Sequence, residues 1–165
     1  MYDFKPDADL ETGERYRQLV QAADALTSGE SDGVANMANV AALIWEYVPD
    51  LNWAGFYRMG QSDGEASELV LGPFVGRPAC IRIPVGQGVC GAAAASRETQ
   101  LVEDVHAFPG HIACDAASRS EVVVPVLRDG KVIAVIDLDS PKPARFGGGD
   151  AAGLEALAAL LADRI

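Results

Sequence analysis

Cysteine is scarce in this chain of 165 residues, with three copies at positions 80, 90 and 114. An odd count without CxxC spacing does not make a structural disulfide framework. Histidine is scarcer still, with two copies, so a zinc centre is not expected and no metal is assigned. Positive charge is also short: 13 Lys and Arg stand against 24 Asp and Glu, a net charge of −11. A surface of that sign does not attract phosphate backbones or anionic lipid, which argues against nucleic-acid and membrane partners. No apolar run approaches the roughly 18 residues of a membrane span. The opening Met1-Tyr2-Asp3-Phe4-Lys5-Pro6-Asp7 lacks the basic and apolar regions of a signal peptide, so a cytoplasmic setting is expected.

What is present suits one domain over 1–165, with 1–11 a polar, poorly anchored lead-in. The thiols are either inert core residues or redox-active ones, and the counts alone leave both open. Cys114 lies in Gly110-His111-Ile112-Ala113-Cys114-Asp115-Ala116-Ala117-Ser118-Arg119-Ser120-Glu121, between two hydrophobic regions. Thiol reactivity follows thiolate fraction, which helix N-termini and nearby cations raise and apolar cores lower. This stretch therefore reads as the chemical centre of the chain.

Apolar residues Tyr16, Leu19, Val20, Ala23 and Leu26 recur at helical spacing after Thr12. A second helix follows Asp32, a candidate N-cap, with Val34, Met37, Ala38, Ala41, Ile44, Trp45 and Val48 as its packing residues, and Pro49 stops it. Strands are expected at 52–59, 68–74, 79–84 and 100–102, with a short helix at 92–96 and a long loop over 103–120. The GxGxxG at 86–91 lies outside any βαβ unit, so it is not read as a dinucleotide fingerprint. A hairpin over 121–127 and 131–138 turns at Asp129-Gly130, and a last helix spans 150–164 with Asp150 as N-cap and Leu154, Leu157, Leu160 and Leu161 on its stripe. Helices segregated from antiparallel strands make an α+β fold.

Side chains alternate along a strand, so Ile133, Val135, Asp137 and Asp139 fall on one face. A two-residue turn would pair Arg128 with Lys131 and set Glu121 against Leu138. A three-residue turn with Gly130 in a bulge pairs Leu127 with Lys131 and sets Glu121 against Asp137 on the same face. The bulged register is expected, because it gathers Glu121, Asp137 and Asp139 at one end of the sheet. Clustered carboxylates repel, so at least one should hold a proton near neutrality. Such a site binds an ammonium group and donates a proton to a leaving oxygen.

Six motif runs then become recognisable: Asn52-Trp53-Ala54-Gly55-Phe56-Tyr57, Leu71-Gly72-Pro73-Phe74, Pro78-Ala79-Cys80, Gly88-Val89-Cys90-Gly91, His106-Ala107-Phe108-Pro109-Gly110-His111-Ile112-Ala113-Cys114-Asp115 and Ile136-Asp137-Leu138-Asp139-Ser140-Pro141. Together they closely resemble the free methionine-(R)-sulfoxide reductase family. The resemblance implies a GAF-like fold: an antiparallel sheet of about six strands, helices on one face, and a ligand pocket under loops on the other. It implies reduction of free L-methionine-(R)-sulfoxide, with Cys114 as the reacting thiol, Cys80 as its disulfide partner and Cys90 as a further redox thiol. It also assigns Glu121, Asp137 and Asp139 to substrate binding and Trp53 and Tyr57 to an aromatic pocket wall. No cofactor is implied beyond an external dithiol, thioredoxin, and a homodimer is the expected assembly.

The residues accommodate that chemistry. A carboxylic acid, Glu121 or Asp139, hydrogen-bonds the sulfoxide oxygen while the Cys114 thiolate attacks sulfur. A sulfenic acid results, a second cysteine condenses with it, and a dithiol reopens the disulfide. Asp137 or Asp139 holds the ammonium group, and whether His106 or His111 assists the thiolate stays open. The rival functions are a non-catalytic GAF sensor of a small ligand and, third, a thiol peroxidase or general redox sensor.

Overall fold

The computed structural model describes residues 4–7, 9–60, 67–110 and 115–165. Helices α1 (Thr12–Thr27) and α2 (Gly33–Tyr47) precede strands β1 (Trp53–Met59), β2 (Glu68–Gly76) and β3 (Arg82–Pro84). Then come α3 (Gly88–Ser96), β4 (Gln100–Val102), a 3-10 turn at Val105–Ala107, β5 (Ser120–Arg128), β6 (Lys131–Ser140) and α4 (Gly148–Leu161). The six strands form one sheet in the order β3-β2-β1-β6-β5-β4, with every pairing antiparallel.

Strand alternation gives the sheet two different faces. Ala54, Phe56, Val122, Val124, Val126, Ala134, Ile136 and Leu138 point to one side, where α1, α2 and α4 bury them in the main core. Trp53, Tyr57, Val123 and Val135 point to the other side, where they pack with Val89, Cys90 and Ala93 of α3. Three helices thus share one face as expected, while α3 lies on the pocket side.

Asp32 caps α2, accepting from the backbone N–H of Val34 at 2.8 Å and of Ala35 at 3.0 Å. Met37 is buried, but Trp45 is 38% exposed, contrary to its reading as a packing residue. The buried stripe runs through Ile44, and one further residue turns about 100° away from it. Val34 and Ala38 lie on that outer face too. Helix α4 begins earlier than expected, with Gly147 at the cap position. Asp150 sits inside the first turn, where its carboxylate accepts from the Gly147 N–H at 2.8 Å and from the buried Tyr16 hydroxyl at 3.1 Å.

Helix α3 also starts before the expected 92, at Gly88, and so takes Cys90 into its first turn. A side chain at Gly91 would come within 2.5 Å of the Pro84 carbonyl oxygen, so this glycine lets the helix lie against the end of β3. Residues 79–81, expected in a strand, precede β3 instead.

The hairpin corrects the expected register. Asp129 and Gly130 have φ of 51° and 73°, a two-residue turn, and Arg128 pairs with Lys131. The extra residue lies further on: Val126 pairs with Ala134 and Leu127 with Val132, which leaves Ile133 bulged out of the ladder. Ile133 therefore joins Ala134 on the helix-covered face rather than the acids on theirs. Beyond the bulge Glu121 lies opposite Asp139, not Asp137, and the three acids still share one face.

Candidate functional site

Three neighbouring strands build one wall. Trp53 pairs with Asp139, Gly55 with Asp137 and Tyr57 with Val135 across β1–β6. Glu121 pairs with Asp139 and Val123 with Asp137 across β5–β6. The alternation places Trp53, Tyr57, Glu121, Asp137 and Asp139 around a single cavity, whose empty space, mouth included, is about 490 Å³. Gly88, Val89 and Cys90 on α3, Ile83 on β3, Ala79, Asp115 and Ser118 complete its lining.

The aromatic side of this wall is stacked. Trp53 lies 5.3 Å from Phe74 at 13° between ring planes and 5.8 Å from Tyr57 at 23°. Gly55, between the two β1 aromatics, makes the stack possible, since a Cβ there would approach the Phe74 Cβ to 2.4 Å. The polar tips of the wall hold the segment before β3. The Trp53 Nε1–H donates to the Arg77 carbonyl at 3.1 Å, and the Tyr57 hydroxyl donates to the Cys80 carbonyl at 3.0 Å.

The acidic side carries no opposing base: among the described lining residues there is no Lys, Arg or His. Burial raises the Glu121 and Asp137 carboxyls well above their ordinary range, and each is raised further by neighbouring carboxylates. Asp139 rises less, to about 7, because a Ser118 hydrogen bond favours its charged form against burial and Asp115. Burial likewise pushes the Cys90 thiol up, with Asp137 and Glu121 adding to the effect. The Asp137 Oδ1 is buried with no hydrogen-bond partner among the described residues. The Cys90 Sγ lies 4.0 Å from the Glu121 Oε1. This arrangement favours protonated carboxyls when empty and should attract a cation when occupied.

The expected residues divide as follows. Trp53, Tyr57, Cys90, Glu121, Asp137 and Asp139 meet at the cavity. Cys80 is disulfide-bonded and packs against the same cluster beside the lining residue Ala79, while Cys90 is a free thiol. His106 is exposed on the 3-10 turn and outside the lining. Cys114 and His111 lie outside the described residues. The sequence reading gave no role to Asn52 or Ser118. The Asn52 Nδ2 donates to Asp115 Oδ2 at 3.2 Å and to Ser118 Oγ at 3.0 Å, which ties the base of β1 to the loop that supports Asp139. The linear hints were Asn52 at the head of the expected strand and Ser118 in the stretch after Cys114.

A GAF domain model matches residues 34–165 of the chain. The chain is 49% identical over 148 residues to the free methionine-R-sulfoxide reductase of Escherichia coli, a match spanning 90% of this chain and 87% of that protein. It is 43% identical over 159 residues to the free methionine-R-sulfoxide reductase of Saccharomyces cerevisiae, covering 93% and 87%. Among solved structures it resembles the Neisseria meningitidis free methionine-R-sulfoxide reductase in complex with its substrate. That alignment has a TM-score of 0.91 and 42% identity over 99% of this chain and 95% of that one.

Proposed function

The chain belongs to the free methionine-R-sulfoxide reductase family of GAF-domain proteins, and on that premise we propose that its acid-walled cavity reduces free methionine (R)-sulfoxide to methionine. The observation that carries this reading is the division of one cavity into a stacked aromatic wall and four carboxyl groups, Asp115, Glu121, Asp137 and Asp139, with no basic residue among the described lining. A free amino acid brings its own ammonium group, whereas a residue within a peptide does not. Inside a protein the site's acids would stay unpaired, which discriminates against peptide-bound sulfoxide. The S-methyl group fits the face of Trp53, where sulfur and apolar contacts are favourable.

The pKa directions divide the work among the acids. Glu121, whose carboxyl burial pushes well above its ordinary range, donates a proton to the sulfoxide oxygen, turning a poor leaving group into a better one. Asp139, with a pKa of about 7, is ionised in a useful fraction and holds the ammonium group. The Cys114 thiolate attacks sulfur. The S–O bond breaks, methionine leaves and Cys114 carries the oxygen as sulfenic acid. The Cys80 thiol then displaces water from that sulfenic acid to form a disulfide, a role to which its disulfide-bonded state lends support. Thioredoxin, a cytoplasmic dithiol, returns both thiols by exchange and leaves as the disulfide. Cys90, free and buried among the acids, serves as a further redox thiol. A homodimer is the proposed assembly, for which the exposed Val34 and Trp45 on α2 offer apolar surface.

The test incubates the protein with dithiothreitol and free L-methionine sulfoxide of mixed sulfur configuration, and resolves the two forms over time. Consumption of the R form alone is expected, with no reduction of sulfoxide inside a peptide. An untouched R form would overturn the reading and leave a ligand-sensing GAF domain in its place.

A further inference from the structure

No linear spacing in this chain announces a metal site, yet the fold gathers three candidate ligands. Cys90, Glu121 and Asp137 each present a ligand atom, and these atoms all lie within 4.8 Å of one another. They come from three different elements, α3, β5 and β6, packed against one another on the pocket face. All three residues are buried, and Asp137 is only 5% exposed. Asp137 lines the cavity, and its Oδ1 is buried with no hydrogen-bond partner among the described residues, an unmet demand for a donor or a cation.

We propose that Cys90, Glu121 and Asp137 form a binding site for a divalent zinc ion in the thiol-reduced protein, at the floor of the sulfoxide pocket. Tetrahedral zinc with bonds of about 2.3 Å to sulfur and about 2.0 Å to oxygen sets its sulfur and oxygen ligands roughly 3.5 Å apart. The Cys90 Sγ to Glu121 Oε1 separation is already 4.0 Å, so a small rotation of the Glu121 side chain closes that edge. One thiolate and two carboxylates suit zinc, whereas magnesium and calcium prefer oxygen alone and more ligands. The fourth position opens to the cavity, for water or Asp139. As the zinc bonds form, the thiol proton and any protons held by the Glu121 and Asp137 carboxyls pass to solvent. The doubly charged ion replaces carboxyl repulsion with attraction. The lining holds no described basic residue that would oppose it.

Zinc and the substrate ammonium group would then draw on the same acids, so metal occupancy excludes sulfoxide. That competition rests on the reductase reading, whereas zinc binding itself does not. The full chain carrying Cys80→Ser and Cys114→Ser keeps Cys90 as its sole thiol. Zinc chloride is titrated into it calorimetrically under a phosphine reductant, and cobalt(II) is added in parallel while the near-ultraviolet spectrum is recorded. One zinc per chain is expected, weakened at least tenfold by adding Asp137→Asn or Cys90→Ser. A thiolate-to-cobalt charge-transfer band should appear and vanish with Cys90→Ser. No binding in the Cys90-only protein, or no cobalt–thiolate band, would overturn the proposal even if the two further variants failed to fold. Zinc binding in the Cys90-only protein, together with no sulfoxide consumed by the unsubstituted chain, would uphold the site and sink only the reductase reading.

Discussion

Glu121 and Asp139 are directly registered cross-strand partners, a buried acid facing a half-buried one where most sheets would place opposite charges or an apolar pair. Like charges opposite each other destabilise a sheet. The pair therefore persists by keeping protons that the unfolded chain would release, and with Asp137 beside it the cost of ionisation rises further.

A dependence of stability on pH follows, with a definite sign. The folded Asp139 has a pKa of about 7 against an ordinary 3.8, so between these values the folded state binds more protons than the unfolded one. Stability then falls as pH rises through that window, and Glu121 and Asp137, raised well above their usual values, carry the fall higher. Asp139→Asn should stabilise the empty protein by on the order of 1–3 kcal/mol at about pH 8, with the gain vanishing toward about pH 4. Thermal melts at the two pH values measure it. Equal midpoints at the higher pH would contradict the assignment.

Ser118 should set where the substrate-binding limb of the pH profile falls. Its hydrogen bond holds the Asp139 pKa down, so Ser118→Ala raises it further. If ionised Asp139 holds the ammonium group, KM for the sulfoxide decreases as pH rises through about 7, and the variant shifts that decrease upward. A merely structural loss would lower the rate at every pH without moving the limb.

The cysteine roles separate by stoichiometry. Cys114→Ser is expected to abolish turnover. Cys80→Ser is expected to release about one methionine per chain and then stop, its sulfenic acid unresolved. Quenched-flow methionine counting reads both results. Sustained turnover by Cys114→Ser would hand the nucleophile's role to Cys90 or Cys80.

Gly55→Ala tests the aromatic wall. The added methyl meets the Phe74 Cβ at 2.4 Å, which forces apart the stack of Trp53 on Phe74. A loss of about 1–3 kcal/mol in urea unfolding is expected, as for other overpacked sites, together with a raised KM. A neutral substitution would show that the strands yield more readily than their packing implies.

Much of this site could be read from residue order because strand alternation is a strict rule. Asp137 and Asp139 had to share a face, and an aromatic at 53 had to share one with 57. Their placement opposite Glu121 was less legible. Ile133 is an ordinary β-branched residue, and nothing in its identity marks it as the one left out of the ladder. The turn glycine was a visible place for a bulge, and the actual one lies three residues later. Asp150 and Trp45 show the same limit on helices: the residue types were right for a cap and a core, but where the helix starts and how it turns decided otherwise. The Asn52–Ser118 contact joins positions 66 apart, so only the folded chain brings it into view.

The two hydrogen bonds from the aromatic wall make it a lever as well as a surface. Trp53 and Tyr57 each carry one end of their ring system into the pocket and grip the peptide at Arg77 and Cys80 with the other. Whatever presses on those rings is transmitted to the strand of chain that bears a sulfur. A change at either ring thus reaches both the cavity and the peptide at Arg77 or Cys80, and its effect has two sources. Tyr57→Phe separates them, because it keeps the face and releases the grip.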